Sequence, residues 1–303
     1  MIVIQLMGGL GNQLQQYALY RKFISLNVPA AIDISWFEEK NQADMLAKRK
    51  IELKLLEGSD FKVATKEEIS ELKGGDDFFG KVRRKLLKSS VREYEENIIY
   101  DPKVLQFTDM YIRGYFACEL YYHDILKSLR NELKFPVERS ENSETINKIA
   151  VDMQKSNSVS VHIRRGDYLD TVNAEMFGGI CTDEYYKAAI AYCNEHIDNP
   201  KYFIFSDDTD YAREFADGCP NATVIDVNHA DESFFDIYLM SMCKHNITAN
   251  STFSFWGARF NSNEAAIRIR PTKHKNSQTF DAEKMPVWWP GWKFISPEGV
   301  FYE

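Results

Sequence analysis

Short apolar runs rich in β-branched residues alternate along the chain with longer stretches in which apolar positions recur every three or four residues. These are the periods of strand and helix. In the first half, residues 2–6 read as a strand and 12–27 as a helix with Leu14, Tyr17, Ala18 and Phe23 on one face. Residues 30–34 and 111–116 read as two more strands, and 119–135 as a helix stopped by Pro136. From residue 143 the alternation is regular. Helices are expected over 143–155, 183–196, 209–217, 232–244 and from about 253, and strands over 159–163, 202–205, 222–226, 246–249 and 265–270. Strands that alternate with helices build a parallel sheet covered on both faces. The polar stretch 138–143 has no periodicity and is the best linker. The expected organisation is therefore two α/β domains, residues 1–142 and 143–303.

Between residues 36 and 100 the pattern weakens. Its informative piece is 78–94, where Phe79, Val82, Leu86 and Val91 fall near one helical face and Lys81, Arg83, Arg84, Lys85, Lys88 and Arg92 cover the rest. A basic amphipathic helix of this kind either lies on an anionic membrane or is a solvated face of its own domain.

Composition narrows the classes. The 303 residues are 44% hydrophobic, enough for two modest cores. The 37 basic residues against 45 acidic ones give a net charge of −8, which argues against a general affinity for nucleic acid, so an anion site has to be local. The five cysteines are odd in number, scattered and without CxxC spacing, and read as reduced thiols. The chain opens without a basic n-region or apolar h-region and holds no run of membrane-span length, so a cytoplasmic protein is expected. The sequons at Asn221, Asn246 and Asn250 are then coincidental.

The chemistry concentrates at 159–169, VSVHIRRGDYL, where a buried strand delivers Arg164, Arg165, Gly166 and Asp167 to its carboxyl end. Open α/β sheets keep their ligands there. Two adjacent guanidiniums call for an anion, and a planar fork that stays protonated suits a diphosphate whose charge grows as a bond breaks. The plainer reading makes the arginines surface residues with Asp167 as ion-pair partner. A second strand ends in Ser206-Asp207-Asp208-Thr209-Asp210. Its DxD is read less as a metal site than as the start of the next helix, since a metal would duplicate the arginines. Residues 250–254, Asn-Ser-Thr-Phe-Ser, follow another strand and offer hydroxyls and helix-start amides. Near the start, Gly8-Gly9-Leu10-Gly11-Asn12 joins a strand to a helix in neither P-loop nor full GxGxxG form. Asp33, ending the next strand, keeps a dinucleotide-binding alternative open. The histidines form no zinc pattern, and residues 287–295, with three of the five tryptophans, read as a tail packed back over the space between the domains.

The segment His162-Ile163-Arg164-Arg165-Gly166-Asp167-Tyr168 resembles the HxRRGDY motif of the α-1,2-fucosyltransferases, glycosyltransferase family 11. Residues 8–13, 205–208 and 250–257 match further family motifs in order. The resemblance implies a GT-B-like α/β fold, two Rossmann-like domains facing a cleft. It implies an inverting transfer of L-fucose from GDP-fucose to the 2-hydroxyl of a galactose in an oligosaccharide or surface polysaccharide. No metal or other cofactor is expected. Arg164 is then expected to stabilise the departing diphosphate, with Asn12 near the donor sugar and Asp167 as first candidate for the base, or else as a loop-orienting group. Donor binding is assigned to His162, Arg164, Arg165, Asp207, Asp208, Asp236, Ser251, Thr252, Phe253, Ser254, Gly9 and Gly11. Asp236 has two open readings, facing the guanine edge or lying on the exposed side of its helix. The resemblance favours a bacterial, cytoplasmic enzyme, with the basic helix offering a hold on the inner membrane face. The rivals are a non-catalytic nucleotide-sugar or glycan-binding protein and a fucosyltransferase of another linkage.

Overall fold

The computed structural model describes residues 1–43, 48–74 and 91–302. The chain forms two compact units, Met1–Lys134 and Phe135–Glu303. The stretch 138–143 lies in the second, where the Asn142 amide donates to the Val227 carbonyl at 3.3 Å.

The first unit runs β1 (Ile2–Gln5), α1 (Leu10–Ser25), β2 (Ala30–Asp33), α2 (Lys66–Lys73), β3 (Glu93–Glu95), β4 (Met110–Arg113) and α3 (Leu126–Glu132). Its sheet has the order β2-β1-β4-β3, every pair parallel. Ile2, Val3 and Ile4 of the central strand are fully buried, as β-branched residues in a covered parallel sheet should be. Helix α1 starts earlier than its apolar period suggests, because Gly9 is its N-cap; Asn12 therefore lies inside the first turn and does not cap it. Helix α2 was not expected, although Thr65 and Glu68 form a capping box and Gly74 closes it at φ 81°. Of the basic helix 78–94, residues 78–90 lie outside the described ones. Its end is corrected: Glu93–Glu95 is a strand paired with β4, and Arg92 donates to the Glu71 carbonyl and pairs with Asp109. The helix 119–135 is also corrected, to two 3-10 turns followed by the short α3. There the adjacent, fully buried Tyr121 and Tyr122 take separate tertiary bonds, to the Asp101 amide (2.8 Å) and the Phe116 carbonyl (3.2 Å). Among the described residues no helix is long and apolar enough to cross a membrane.

The second unit runs α4 (Ser143–Lys155), β5 (Ser158–Ile163), α5 (Thr171–Phe177), α6 (Asp183–His196), β6 (Lys201–Ser206), α7 (Thr209–Asp217), β7 (Ala222–Ile225), α8 (Phe235–Met242), β8 (His245–Ile247), α9 (Thr252–Phe260), β9 (Arg268–Pro271), α10 (Met285–Trp288), β10 (Trp292–Ile295) and β11 (Phe301–Tyr302). The sheet order is β11-β10-β9-β8-β5-β6-β7, parallel except for the β10–β11 pair. All six residues of β5 are buried. One face carries Val159, Val161 and Ile163 into a core with Tyr185, Tyr186, Ile204 and Ile247. The other face is polar, and there Asn246 donates to Ser160 Oγ and to the Met240 carbonyl, both at 2.8 Å. Asn246 and Asn250 are 1% and 2% exposed, so neither sequon is available to a glycan. The tryptophan-rich tail is part of the second unit's sheet. It adds β10 and β11 to the sheet and wraps Arg270, itself 2% exposed, whose guanidinium lies 4.1 Å from the Trp289 ring and 4.4 Å from that of Phe255.

Candidate functional site

Because β5, β6, β7, β8 and β9 are parallel, their carboxyl ends share one edge. Arg164 and Arg165 leave the end of β5, Asp207 and Asp208 the end of β6, and residues 248–251 the end of β8. Sequence-distant residues meet there in a repeated arrangement. Arg164 Nη1 lies 3.0 Å from Asp207 Oδ2 and Arg165 Nε 3.1 Å from Asp208 Oδ2. The Arg165 guanidinium stacks 3.8 Å from the Tyr211 ring, and that of Arg164 lies 5.7 Å from the Tyr168 ring. Each guanidinium thus meets a carboxylate and an aromatic ring, which fixes the plane and direction of its fork. Asp207 Oδ1 also accepts the Arg165 amide at 2.9 Å. A side chain at Gly166 would put Cβ 2.4 Å from Asp207 Oδ2, so glycine is what allows this approach.

The acids after β6, assigned to donor binding, turn oxygens to the two arginines. Asp208 also caps α7, accepting the Tyr211 amide at 3.0 Å. That bond, aided by Arg165, holds its carboxyl below the usual range. Asp210 turns to Arg213 (3.1 Å) and Thr209 to Asp226 (3.4 Å), so the DxD side chains go to separate partners.

The turn before α9 has two parts. Asn250 is a clamp: Nδ2 donates to the carbonyls of Phe177 (3.0 Å) and His274 (3.2 Å), while its own carbonyl accepts the Tyr168 hydroxyl at 3.1 Å. Tyr168 stacks on Phe177 at 5.0 Å and 17°. Arginine loop, α5 and the start of α9 are therefore one assembly. Ser251 is the N-cap of α9, but its side chain makes no capping bond. Ser254 Oγ donates to the Ser251 carbonyl at 3.2 Å. No capping side chain therefore takes the amides that begin α9. Thr252 and Phe253 are half-buried.

His162 is 4% exposed in β5, beside the Phe253 ring at 5.9 Å, and its Nδ1 has no partner among the described residues. Burial, with Arg164 adding repulsion, pushes its pKa down to about 3, so it is neutral at any working pH. The side chain of Asp167 lies outside the described residues; its backbone belongs to the 3-10 turn Gly166–Leu169.

Asp236 is half-buried at the start of α8 and accepts from Asn228 Nδ2 at 2.7 Å. Of its two readings, the exposed carboxylate is set aside. Burial, with Asp226 adding to it, raises its pKa to about 7. The native carboxyl thus holds a proton that the unfolded chain releases near pH 4, so this group's contribution to stability declines as pH rises from about 4 to 7 and is level above. Asp236→Asn should raise Tm relative to the parent more at pH 8 than at pH 5. Calorimetry at both values checks this, and equal shifts would contradict it.

In the first unit the glycine loop departs from expectation. The Leu10 amide, first in α1, already donates to Glu52 Oε2 at 2.9 Å, and Gly11 is buried within the helix. The amide between Gly9 and Gly11 is therefore taken within the protein. A Cβ at Gly8 would meet Asn12 Nδ2 at 2.6 Å, so Asn12 folds over the loop. Asp33 is 2% exposed and accepts from the Tyr111 hydroxyl (2.7 Å) and the Ser35 amide (2.8 Å). It has no place for a ribose, which removes the support for a dinucleotide site.

Residues 85–296 match the family described as Glycosyl transferase family 11. The chain belongs to that family. Its two α/β units, each built on a largely parallel sheet, agree with the α/β fold expected from the resemblance. The chain is 29% identical over 303 residues to the O-antigen biosynthesis glycosyltransferase WbnK of Escherichia coli, covering 91% of this chain and 97% of that one. It is 28% identical to an alpha-1,2-colitosyltransferase of Escherichia coli, covering 89% and 91%. To galactoside alpha-(1,2)-fucosyltransferase 1 of Aotus azarae it is 25% identical, over 47% of this chain and 41% of that one. As a family 11 glycosyltransferase, the chain has its twin-arginine motif, the acids after β6 and the 250–254 turn inside the matched region.

Proposed function

We propose that this glycosyltransferase moves L-fucose from GDP-fucose to the 2-hydroxyl of a galactose, with inversion and without a metal. The acceptor oxygen attacks C1 of fucose from the side opposite the diphosphate. The bond from C1 to the phosphate oxygen breaks, and its electron pair leaves with GDP. Arg164 and Arg165 meet the charge that grows on the leaving oxygens, because their partners hold the guanidiniums in place before reaction. The uncapped start of α9, residues 251–254, donates amides to the same phosphates. Asp207 and Asp208 act by positioning the two forks. His162, neutral and beside Phe253, contributes a hydrogen-bonding nitrogen on the donor side. Asp236 takes the guanine edge, where a carboxylate accepts from ring N–H groups, and Asn12 serves the sugar. Asp167 is the base that takes the acceptor proton.

The observation that carries this reading is the pair of arginines at the end of β5, each with a carboxylate and a tyrosine ring as partners. Family membership supports glycosyl transfer, and the names of the relatives support an α-1,2 bond from a fucose-like donor. The colitosyltransferase gives a second donor reading, an activated colitose such as GDP-colitose. Incubation with GDP-fucose and lactose in excess EDTA should give a product whose NMR spectrum shows fucose α-linked to galactose O2. Activity lost in EDTA and restored by Mn²⁺ would return the DxD to a metal role. Transfer from GDP-colitose but not GDP-fucose would change the donor.

A further inference from the structure

Apart from Asn12, the donor groups proposed above lie in the second unit, which leaves open what else the first unit contributes. Its parallel sheet has a carboxyl edge of its own, and there β4 ends in the turn Gly114-Tyr115-Phe116. Tyr115 is 48% exposed and is the only exposed aromatic residue among the described ones; every other Phe, Tyr and Trp there is buried or half-buried. About half of its surface is open, although the surrounding protein desolvates its hydroxyl and raises its pKa, so the ring forgoes part of the burial that its neighbours obtain.

The turn holds it that way at a cost. Phe116 is a bulky residue at φ 50°, in the left-handed region that such residues avoid. It is kept there because its ring is fully buried edge-on to Tyr121 at 5.5 Å and its carbonyl accepts the Tyr122 hydroxyl at 3.2 Å. One carboxylate oxygen of Glu96 accepts both the Tyr115 amide (2.7 Å) and the Phe116 amide (2.9 Å). A Cβ at residue 114 would lie 2.4 Å from Glu96 Cβ, so only glycine permits that packing. The turn is tied to the glycine loop by the fully buried Gln16, which donates to the Gly114 carbonyl and accepts from the Met7 amide, both at 2.9 Å. An exposed ring on a backbone fixed by strain, a two-amide carboxylate bridge and a buried glutamine is preorganised for contact and not for packing.

We propose that Tyr115 is the platform on which the first unit receives the acceptor, a hexopyranose that lays the apolar C–H face of its ring on the phenol. A galactoside has such a face, so the assignment deepens the transfer reading above and rests on it for the identity of the sugar. The test compares Tyr115→Ala with Tyr115→Phe, using lactose as acceptor and, separately, saturation-transfer NMR of methyl β-galactoside on the protein without donor. Loss of the ring should raise the KM for lactose about tenfold, with the KM for GDP-fucose within about twofold of the parent, and should remove the NMR signal. Phenylalanine should restore both. An alanine variant with the parental lactose KM and NMR signal, or a phenylalanine variant as weak as alanine, would overturn the platform. The two readings fail separately. Galactoside binding that depends on Tyr115 in a protein that transfers no fucose would sink the transfer reading alone, whereas transfer untouched by Tyr115→Ala would sink the platform alone.

Discussion

Arg164→Lys is expected to slow turnover by about 10²-fold or more, while affinity for GDP falls far less. Lysine keeps the charge that attracts a diphosphate. It cannot keep the planar fork whose Nη1 meets Asp207 at 3.0 Å. The difference matters only where charge develops, so the loss belongs in kcat and not in ground-state binding. Single-turnover rates and GDP calorimetry on the same variant separate the two. An equal loss in both would mean that Arg164 holds the donor and does nothing more for the reaction.

The second large effect is expected away from any ligand contact. Asn250→Ala should cost about 2–4 kcal/mol of stability, because two donated bonds disappear and the carbonyls of Phe177 and His274 lose a partner inside the fold. The same change loosens the turn whose carbonyl accepts the Tyr168 hydroxyl, and with it the ring beside Arg164. Urea unfolding reads the stability term. A loss under about 0.5 kcal/mol would show that the clamp is dispensable.

What the sequence could and could not reveal divides along physical lines. Strand β5 and its arginines were legible because alternation and β-branching announce a buried strand, and charged residues after it must lie at its edge. The pairing of Arg164 with Asp207 and of Arg165 with Asp208 was not, since it joins residues 43 positions apart through the β5–β6 register. Short apolar runs misled where tertiary bonds override helical period, as at Tyr121 and Tyr122. Two missed elements did carry a signal: Thr65 and Glu68 with Gly74 mark α2, and the alternation Trp292-Lys293-Phe294-Ile295 marks β10. Tyr115 had none, because exposure of a single ring follows from backbone strain at the next residue. The occupied amide of Leu10 was equally hidden, as Glu52 reaches it from 42 positions away.

The central claim is that the arginine edge of the second sheet breaks the bond between a 6-deoxyhexose and GDP when a galactoside is present to receive it. Release of GDP from GDP-fucose, followed before and after lactose is added, tests this most directly. The account predicts slow release alone and a rise of at least tenfold on adding lactose, with Arg164→Lys abolishing most of the rise. GDP-fucose that binds the protein but yields no GDP with lactose or any other galactoside would contradict it and leave a nucleotide-sugar-binding protein in its place.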